Sequence, residues 1–305
     1  LLPDFVLYLK RIRLWLKKGT RETLTTGDRN ISETRMRIEE QRITGKISQE
    51  LCEDGIVAND DFIAVVDGST SKTSFKIDER CSNGKLCMET VCNYIRYMPK
   101  EYTLQLFCKG ITERIRGIYN RADANMNDLT RFPVMRMTAS AIVYSRFYRQ
   151  IWMVGDCQCM VNGVLFLNPK PHEREIAEER AEIIKTALKK GESIESIMAD
   201  DIGRKAIMPK LKEACNLQNI AFPVIDGFNI PTDLVKVIDI KEKDTEIILA
   251  SDGYPKLERT LNESENELQR LLSDDPLCIN ENVATKGLAP DRGSFDDRTY
   301  IRFTD

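Results

Sequence analysis

Two short apolar runs near opposite ends of the chain lead directly into Asp-Gly pairs. Residues 62–66 (Phe-Ile-Ala-Val-Val) are followed by Asp67, and residues 247–250 (Ile-Ile-Leu-Ala) are followed by Ser251 and Asp252. Runs of this kind are typical of buried strands. A glycine at the end of such a strand lets other groups approach the backbone closely. The pattern therefore predicts a fold that collects carboxylates at the ends of its core strands.

Length and charge limit the classes of protein. The 305 residues, 42% of them apolar, are enough for one large domain or two small ones. The 45 basic and 48 acidic residues leave a net charge of −3. Because the charges nearly balance, the chain has no overall electrostatic attraction to nucleic acid, and we expect no nucleic-acid partner.

The cysteines indicate a reducing compartment. There are nine, an odd number, and several lie within apolar periodic stretches, which suits reduced core thiols better than a disulfide framework. We therefore predict a cytoplasmic protein. Cys157 and Cys159 are the one close pair, without a second pair or a histidine at zinc spacing, so packing on one strand face is the favoured interpretation.

The periodicity predicts an α+β order of elements. Helices are expected over 87–98, 104–118 and 263–273, and a charged, mostly helical insertion over 173–217. Strands are expected over 62–66, 138–145, 150–154, 159–167, 234–240, 245–250 and 299–303. Strands, helices, strands, helices and strands in that order favour a sandwich over regular βαβ alternation.

The N-terminal part has a different composition. Residues 4–18 carry apolar side chains at helical spacing among lysines and arginines, which predicts a basic amphipathic helix. Such a helix packs on its own domain, docks a partner or lies on an anionic membrane, and residues 1–18 leave these alternatives open. Residues 20–42 are polar and predict a linker, so residues 1–42 form an extension and the domain spans 43–305.

Further acidic residues accompany the two Asp-Gly pairs: Glu53-Asp54 and Asp296-Asp297. Carboxylate oxygens without histidine or thiolate partners favour Mg²⁺ or Mn²⁺. Two such ions activate a bridging water for displacement at phosphorus, which points to a phosphoester hydrolase. Taken singly, these pieces are also common in turns and on solvated surfaces, and from the residues alone both interpretations stand.

The order of the motifs resembles the metal-dependent Ser/Thr protein phosphatases of the PP2C (PPM) family from about residue 43 to the end. Each of five segments is similar to a family motif. They are Cys52-Glu53-Asp54, Ala64-Val65-Val66-Asp67-Gly68-Ser69, Val154-Gly155-Asp156-Cys157, Leu249-Ala250-Ser251-Asp252-Gly253 and Asp296-Asp297-Arg298-Thr299, with Met137-Thr138-Ala139-Ser140-Ala141 as the small-residue strand between them.

The resemblance implies two antiparallel sheets in a central sandwich flanked by helices, with residues 173–233 as an enlarged helical flap. It implies that Asp67 bridges two cations. The Gly68 carbonyl would be a ligand of one cation, and Asp252 and Asp296 would complete the coordination shell of the other. Glu53 and Asp54 would orient metal-bound waters, and Asp156 matches the position of a third, looser ion. The implied reaction is hydrolysis of phosphoserine or phosphothreonine in a phosphorylated protein, without a phosphoenzyme.

The sequence departs from the family at the phosphate side of the site. Gln49 stands where many members have a phosphate-binding arginine, and Ser69 stands where many have a histidine. Lys46 and Arg136 are interpreted as ordinary surface charges, and His172 as a solvent-facing loop residue. These departures motivate an alternative hypothesis, a pseudophosphatase that acts as a regulatory or protein-binding module.

Overall fold

The computed structural model describes residues 36–305, which form ten strands and seven α-helices. The strands are β1 Arg37–Thr44, β2 Asp54–Ala58, β3 Phe62–Gly68, β4 Ala139–Ser145, β5 Gln150–Val154, β6 Gln158–Val161, β7 Val164–Phe166, β8 Lys236–Asp239, β9 Glu246–Ala250 and β10 Arg298–Thr304. The helices are α1 Asn83–Tyr97, α2 Leu104–Arg121, α3 Met126–Arg131, α4 Glu173–Lys189, α5 Ile194–Ala199, α6 Ile202–Ala214 and α7 Leu261–Asp274.

Two antiparallel sheets of five strands face each other. Sheet I has the order β1-β10-β9-β6-β7, and sheet II has the order β2-β3-β4-β5-β8. Alternate residues of each strand point into the space between the sheets. Ile63, Val65, Leu249, Ile301 and Phe303 are all buried in this inter-sheet core.

The outer faces of both sheets are covered. The other face of sheet II packs on α1 and α2, with Val66, Val91 and Ile111 among the buried contacts. On the outer face of sheet I, Ile248 and Tyr300 pack with the segment that leads into α7. The α+β sandwich predicted from the sequence is therefore confirmed.

The predicted insertion contains the helices α4, α5 and α6. Arg180 of α4 is fully buried, and its guanidinium binds Asp201 Oδ2 at 2.7 Å. The same guanidinium donates to the carbonyl oxygens of Leu277 at 2.9 Å and Ala284 at 3.0 Å. These bonds attach the helical insertion to the loop that precedes β10.

Two local predictions differ from the structure. β1 begins at Arg37 and pairs with β10, six residues inside the segment predicted as a linker, because an edge strand with an exposed face tolerates a polar sequence. The single strand predicted over 159–167 is the hairpin β6–β7. Its turn residues, Asn162 and Gly163, both have positive φ, as a tight hairpin turn requires.

The predicted helix over 4–18 lies outside the described residues. Within 36–305, each helix is too short or too polar to cross a bilayer.

Candidate active site

One end of the sandwich is polar because the strand periodicity carries charged residues onto the inter-sheet face. Ile63 and Val65 of β3 face the inter-sheet core, so the two-residue repeat places Asp67 on the same face. Asp67 lies opposite Asp54 on β2 and opposite Ser140 on β4. Three polar side chains therefore lie side by side where sheet II ends.

Sheet I contributes polar side chains to the same end of the sandwich. Leu249 of β9 faces the inter-sheet core, and Ser251, two residues later, points the same way. The Ser251 hydroxyl donates to Asp54 Oδ2 at 2.7 Å and accepts from the Thr299 backbone N–H at 2.9 Å. The two sheets are thus joined by a buried hydrogen bond directly before Asp252.

The glycines of both Asp-Gly pairs are required by close backbone contacts. A Cβ atom on Gly253 would lie 1.9 Å from the Asp297 carbonyl oxygen, and one on Gly68 would lie 2.3 Å from the Gly84 carbonyl oxygen. Real Cβ atoms do not come this close to backbone atoms. Gly253 therefore allows the strand-end loops of sheet I to approach each other, and Gly68 allows the start of α1 to reach sheet II.

Lys46 is buried inside the acidic cluster. Its ammonium lies 2.9 Å from Asp296 Oδ1, 3.2 Å from Asp297 Oδ2 and 3.6 Å from Glu53 Oε2. Burial alone would lower the pKa of Lys46, but the charges of these three carboxylates outweigh it and raise the pKa. The prediction that Lys46 is a surface charge is wrong, because its surroundings come from loops distant in sequence.

Glu53 lies behind this lysine. Its carboxylate accepts from the Thr70 hydroxyl at 2.7 Å and from the Ser82 hydroxyl at 2.5 Å. Its backbone N–H donates to Asp297 Oδ2 at 3.1 Å. The orientation of Glu53 is therefore fixed by neighbours on both sides.

Two of the predicted metal ligands already have cationic partners. Asp296 is bound by Lys286 as well as by Lys46, and Asp156 is bound by Lys170. Burial would raise the pKa of both carboxyls, but the ammonium groups outweigh it and lower the pKa. Asp296 and Asp156 therefore stay ionised as they stand.

Asp67 and Asp252 differ from these two acids. Among residues 36–305, neither side chain has a hydrogen-bond or ion-pair partner. Burial raises the pKa of Asp67 well above its usual range, and the charges of Asp54 and Asp252 add to the effect. Asp252 is exposed to solvent, but desolvation by the surrounding protein, followed by the charge of Asp156, raises its pKa to about 8.

Asp54 is a third acid at this site whose ionised form is disfavoured. Burial raises the pKa of Asp54 to about 7, although the hydrogen bond from Ser251 acts in the opposite direction. Its Oδ1 atom is buried and has no hydrogen-bond partner within the described part of the chain. A buried acceptor without a donor is costly, so Asp54, Asp67 and Asp252 together favour the arrival of a cation.

These side chains surround a cavity of about 150 Å³. Asp67, Gly68, Asp156, Asp252 and Asp296 line it, whereas Glu53 and Asp54 lie behind its wall. The structure therefore brings all seven predicted site residues to one end of the sandwich. Four basic side chains also line the cavity: Lys72, Lys170, Arg204 and Lys286.

The donor set meets part of what a hard divalent cation requires. Carboxylate oxygens and a backbone carbonyl are suitable ligands for Mg²⁺ or Mn²⁺. Asp67 and Asp252 fit because both lack a partner among residues 36–305. Asp296 and Asp156 fit only after their lysines move away, and no three His, Cys, Asp or Glu side chains of residues 36–305 converge closely enough to hold an ion as they stand.

Two further predictions about single residues differ from the structure. His172, predicted to face solvent, lines the cavity with its ring 5.3 Å from that of Phe222. Arg136, predicted as a surface charge, is buried against Asp226 at 2.8 Å and lies 3.6 Å from the Phe228 ring. Both errors arise because loop and insertion contacts leave no periodic signal in the sequence.

The two positions that depart from the family pattern, Gln49 and Ser69, differ in their relation to the cavity. Ser69 lines the cavity, whereas Gln49 lies exposed in a short 3₁₀ turn, Gln49–Leu51. Cys157 and Cys159 are both buried in the inter-sheet core as free thiols, as predicted from their shared strand face.

Comparisons with known proteins give structural matches alone. No family model and no curated protein matches the chain. The catalytic domain of the serine threonine protein phosphatase PstP, solved with two manganese ions, matches at 13% identity over 88% of this chain and 98% of that one, with a TM-score of 0.44. Serine/threonine phosphatase Stp1 from Staphylococcus aureus matches at 14% identity over 94% of this chain and 99% of that one, with a TM-score of 0.44.

PppA, a regulatory component of T6SS in Pseudomonas aeruginosa, matches at 14% identity over 89% of this chain and 99% of that one, with a TM-score of 0.44. This likeness includes two proteins that are named as serine/threonine phosphatases. At this identity and TM-score it supports no statement about activity.

Proposed function

We propose that the chain is a Mg²⁺- or Mn²⁺-dependent phosphomonoester hydrolase that acts on phosphoserine or phosphothreonine in proteins. The observation that carries the proposal is the pair Asp67 and Asp252, two carboxylates in one cavity without a partner among residues 36–305. The ionised form of each carboxyl is disfavoured by the like charges around it, and that of Asp67 also by partial burial. When both are ionised, such a pair is costly unless it coordinates a cation.

The cations would be held by Asp67, the Gly68 carbonyl and Asp252, and by Asp296 once its lysines move away. Asp156 would contribute to a third, looser site. Two bound cations supply a water of lowered pKa and shield the charge of a phosphate group. Glu53 and Asp54 orient water at this end of the sandwich, since each carboxylate is itself fixed by hydroxyl donors.

The chain's thiols are poor nucleophile candidates. Cys215 is the one cysteine of residues 36–305 that lines the cavity, and its Sγ lies 3.4 Å from the Leu211 carbonyl oxygen as a hydrogen-bond donor. Burial raises the pKa of Cys157, which lies beside the acidic cluster, well above its usual range. A water nucleophile therefore suits this site better than a cysteine.

The direct test is hydrolysis of p-nitrophenyl phosphate and of a phosphothreonine peptide with and without Mn²⁺. We expect metal-dependent turnover that falls at least a hundredfold, about 2.7 kcal/mol, in Asp252→Asn. Asp239→Asn is the matched control, because Asp239 is an exposed acid of β8 outside the cavity. Wild-type protein without metal-dependent turnover would contradict the proposal.

A second candidate is supported by the lysines. Lys46, Lys286 and Lys170 already neutralise Asp296 and Asp156, as in a module that keeps the fold but needs no metal. This pseudophosphatase hypothesis predicts phosphopeptide binding in EDTA without hydrolysis in Mn²⁺. The same assay, followed by equilibrium binding in EDTA, separates the two candidates.

We also propose a cytoplasmic location and a docking role for residues 1–18. All nine cysteines are free, which supports a reducing compartment. Membrane docking predicts that binding to anionic phosphatidylserine vesicles is lost when residues 1–18 are deleted. Unchanged binding by the shortened chain would exclude this role.

A further inference from the structure

We infer that Lys72 and Arg204 bind the phosphate group of the substrate. They would take the role of the arginine that many PPM phosphatases have at the position of Gln49. The inference rests on the proposed function for the identity of the ligand. Gln49 is exposed and does not line the cavity. Another part of the chain must therefore recognise the phosphate.

The four basic side chains of the cavity fall into two groups. Lys170 and Lys286 already form ion pairs with Asp156 and Asp296. Within residues 36–305, neither Lys72 nor Arg204 has a carboxylate within ion-pair distance. The second group is therefore available for an anion that enters the cavity.

Lys72 stands in the loop that follows β3. It is partly buried, and its ammonium has no hydrogen-bond acceptor among residues 36–305. Burial lowers the pKa of Lys72, and the nearby charges of Lys170, Arg204 and Lys286 lower it further. A partly buried ammonium among like charges is disfavoured, and a bound phosphate dianion would relieve this repulsion.

Arg204 approaches the cavity from the first turn of α6. Asp201 caps this helix by accepting from the Arg204 backbone N–H at 2.7 Å. The guanidinium donates from Nη1 to the Thr285 carbonyl oxygen at 2.9 Å, which fixes its orientation. A guanidinium has five N–H donors in a planar fork, so enough donors remain for a bidentate bond to phosphate.

The size of the cavity limits the substrate class. At about 150 Å³, it is smaller than the roughly 300 Å³ at which pockets for drug-sized ligands begin. It suits a phosphate group with its nearest carbon atoms, while the rest of the substrate stays outside. The small cavity therefore favours a phosphate monoester at the end of a protruding side chain over a nucleotide that would have to be enclosed completely.

The test measures binding of inorganic phosphate, which is not hydrolysed, by calorimetry in Mg²⁺ and again in EDTA. We expect Lys72→Met and Arg204→Met each to weaken binding at least tenfold, because each variant removes a charged hydrogen-bond donor to the anion. Lys76→Met, from the same loop, and Lys205→Met, from the same helix, are exposed controls and should stay within twofold of wild type.

Arg204→Lys keeps the positive charge and removes the planar guanidinium. If Arg204→Met does not fold, this variant tests whether Arg204 binds phosphate. Wild-type affinity in Arg204→Lys and Lys72→Met would overturn the inference. If wild type hydrolyses p-nitrophenyl phosphate and these variants keep its KM, the inference fails while the proposed function stands. If phosphate binding depends on both residues but no turnover is found, the proposed function fails, and Lys72 and Arg204 remain a phosphate-binding site without an assigned substrate.

Discussion

Ser251 at the end of sheet I donates a hydrogen bond of 2.7 Å to Asp54 at the end of sheet II. The two residues are 197 positions apart in the chain. Since the Ser251 hydroxyl also accepts from the Thr299 backbone N–H, one side chain connects β2, β9 and β10. The acidic end of the sandwich is therefore built as a single unit.

Ser251→Ala should destabilise the protein by about 1–3 kcal/mol, because it leaves Asp54 and the Thr299 N–H without their buried partner. The measurement is urea unfolding followed by circular dichroism. Ser145→Ala is the matched control. Ser145 is fully buried on β4 and accepts one long bond of 3.4 Å from the Tyr148 N–H. Equal losses in the two variants would show that the bond between the sheets contributes nothing beyond an ordinary buried serine.

Lys286→Met should bind Mn²⁺ more tightly than wild type, on the order of tenfold. The Lys286 ammonium contacts Asp296 and therefore competes with a cation for that carboxylate, and about 1.4 kcal/mol corresponds to tenfold. Calorimetric titration with Mn²⁺ measures the affinity directly. Lys256→Met removes an exposed lysine that pairs with Glu258 and should change nothing. Weaker binding by Lys286→Met would show that the lysine supports the metal site.

The strand-end acids of this site were predictable as strand-end residues, because each comes just after a short apolar run typical of a buried strand. Asp67 follows residues 62–66, and Asp252 follows residues 247–250 and Ser251. The face of the sheet on which each acid lies is set by the folded strands, because these runs show no alternation in the sequence. The sandwich followed from the same signal. The polar edge strand β1 could not be predicted from this signal, because it becomes a strand by pairing with β10, which is distant in the sequence.

The basic residues of the site were not predictable in the same way. Lys46 meets Asp296 across 250 positions, and Arg204 reaches the cavity from a helix of the insertion. A lysine or arginine in a loop has the same local sequence signal whether it faces solvent or a carboxylate. Only the folded arrangement of the loops distinguishes these cases.

Mn²⁺ should raise the melting temperature of the wild-type protein, because it compensates carboxylates that repel one another in its absence. Binding at one hundred times Kd stabilises the folded state by about 2.7 kcal/mol. At a pH above the pKa of about 8 that Asp252 has in the folded protein, Asp252→Asn should melt higher than wild type in EDTA, since one of the repelling charges is removed, and it should gain much less from Mn²⁺. Differential scanning calorimetry in EDTA and in Mn²⁺ measures both effects. A variant that melts lower than wild type in EDTA would contradict the proposed repulsion.

Arg180→Met should destabilise the helical insertion by about 3 kcal/mol, because breaking a buried ion pair leaves uncompensated partners. Arg180 is fully buried and binds Asp201 together with the carbonyl oxygens of Leu277 and Ala284. Hydrogen exchange should therefore rise in α4–α6 and in the loop over 277–287, which carries Lys286. Arg174→Met is the control, because Arg174 pairs with Glu178 on the exposed face of α4 and surface pairs contribute about 0–1 kcal/mol. Faster exchange confined to the insertion would show that the loop before β10 is held independently of Arg180.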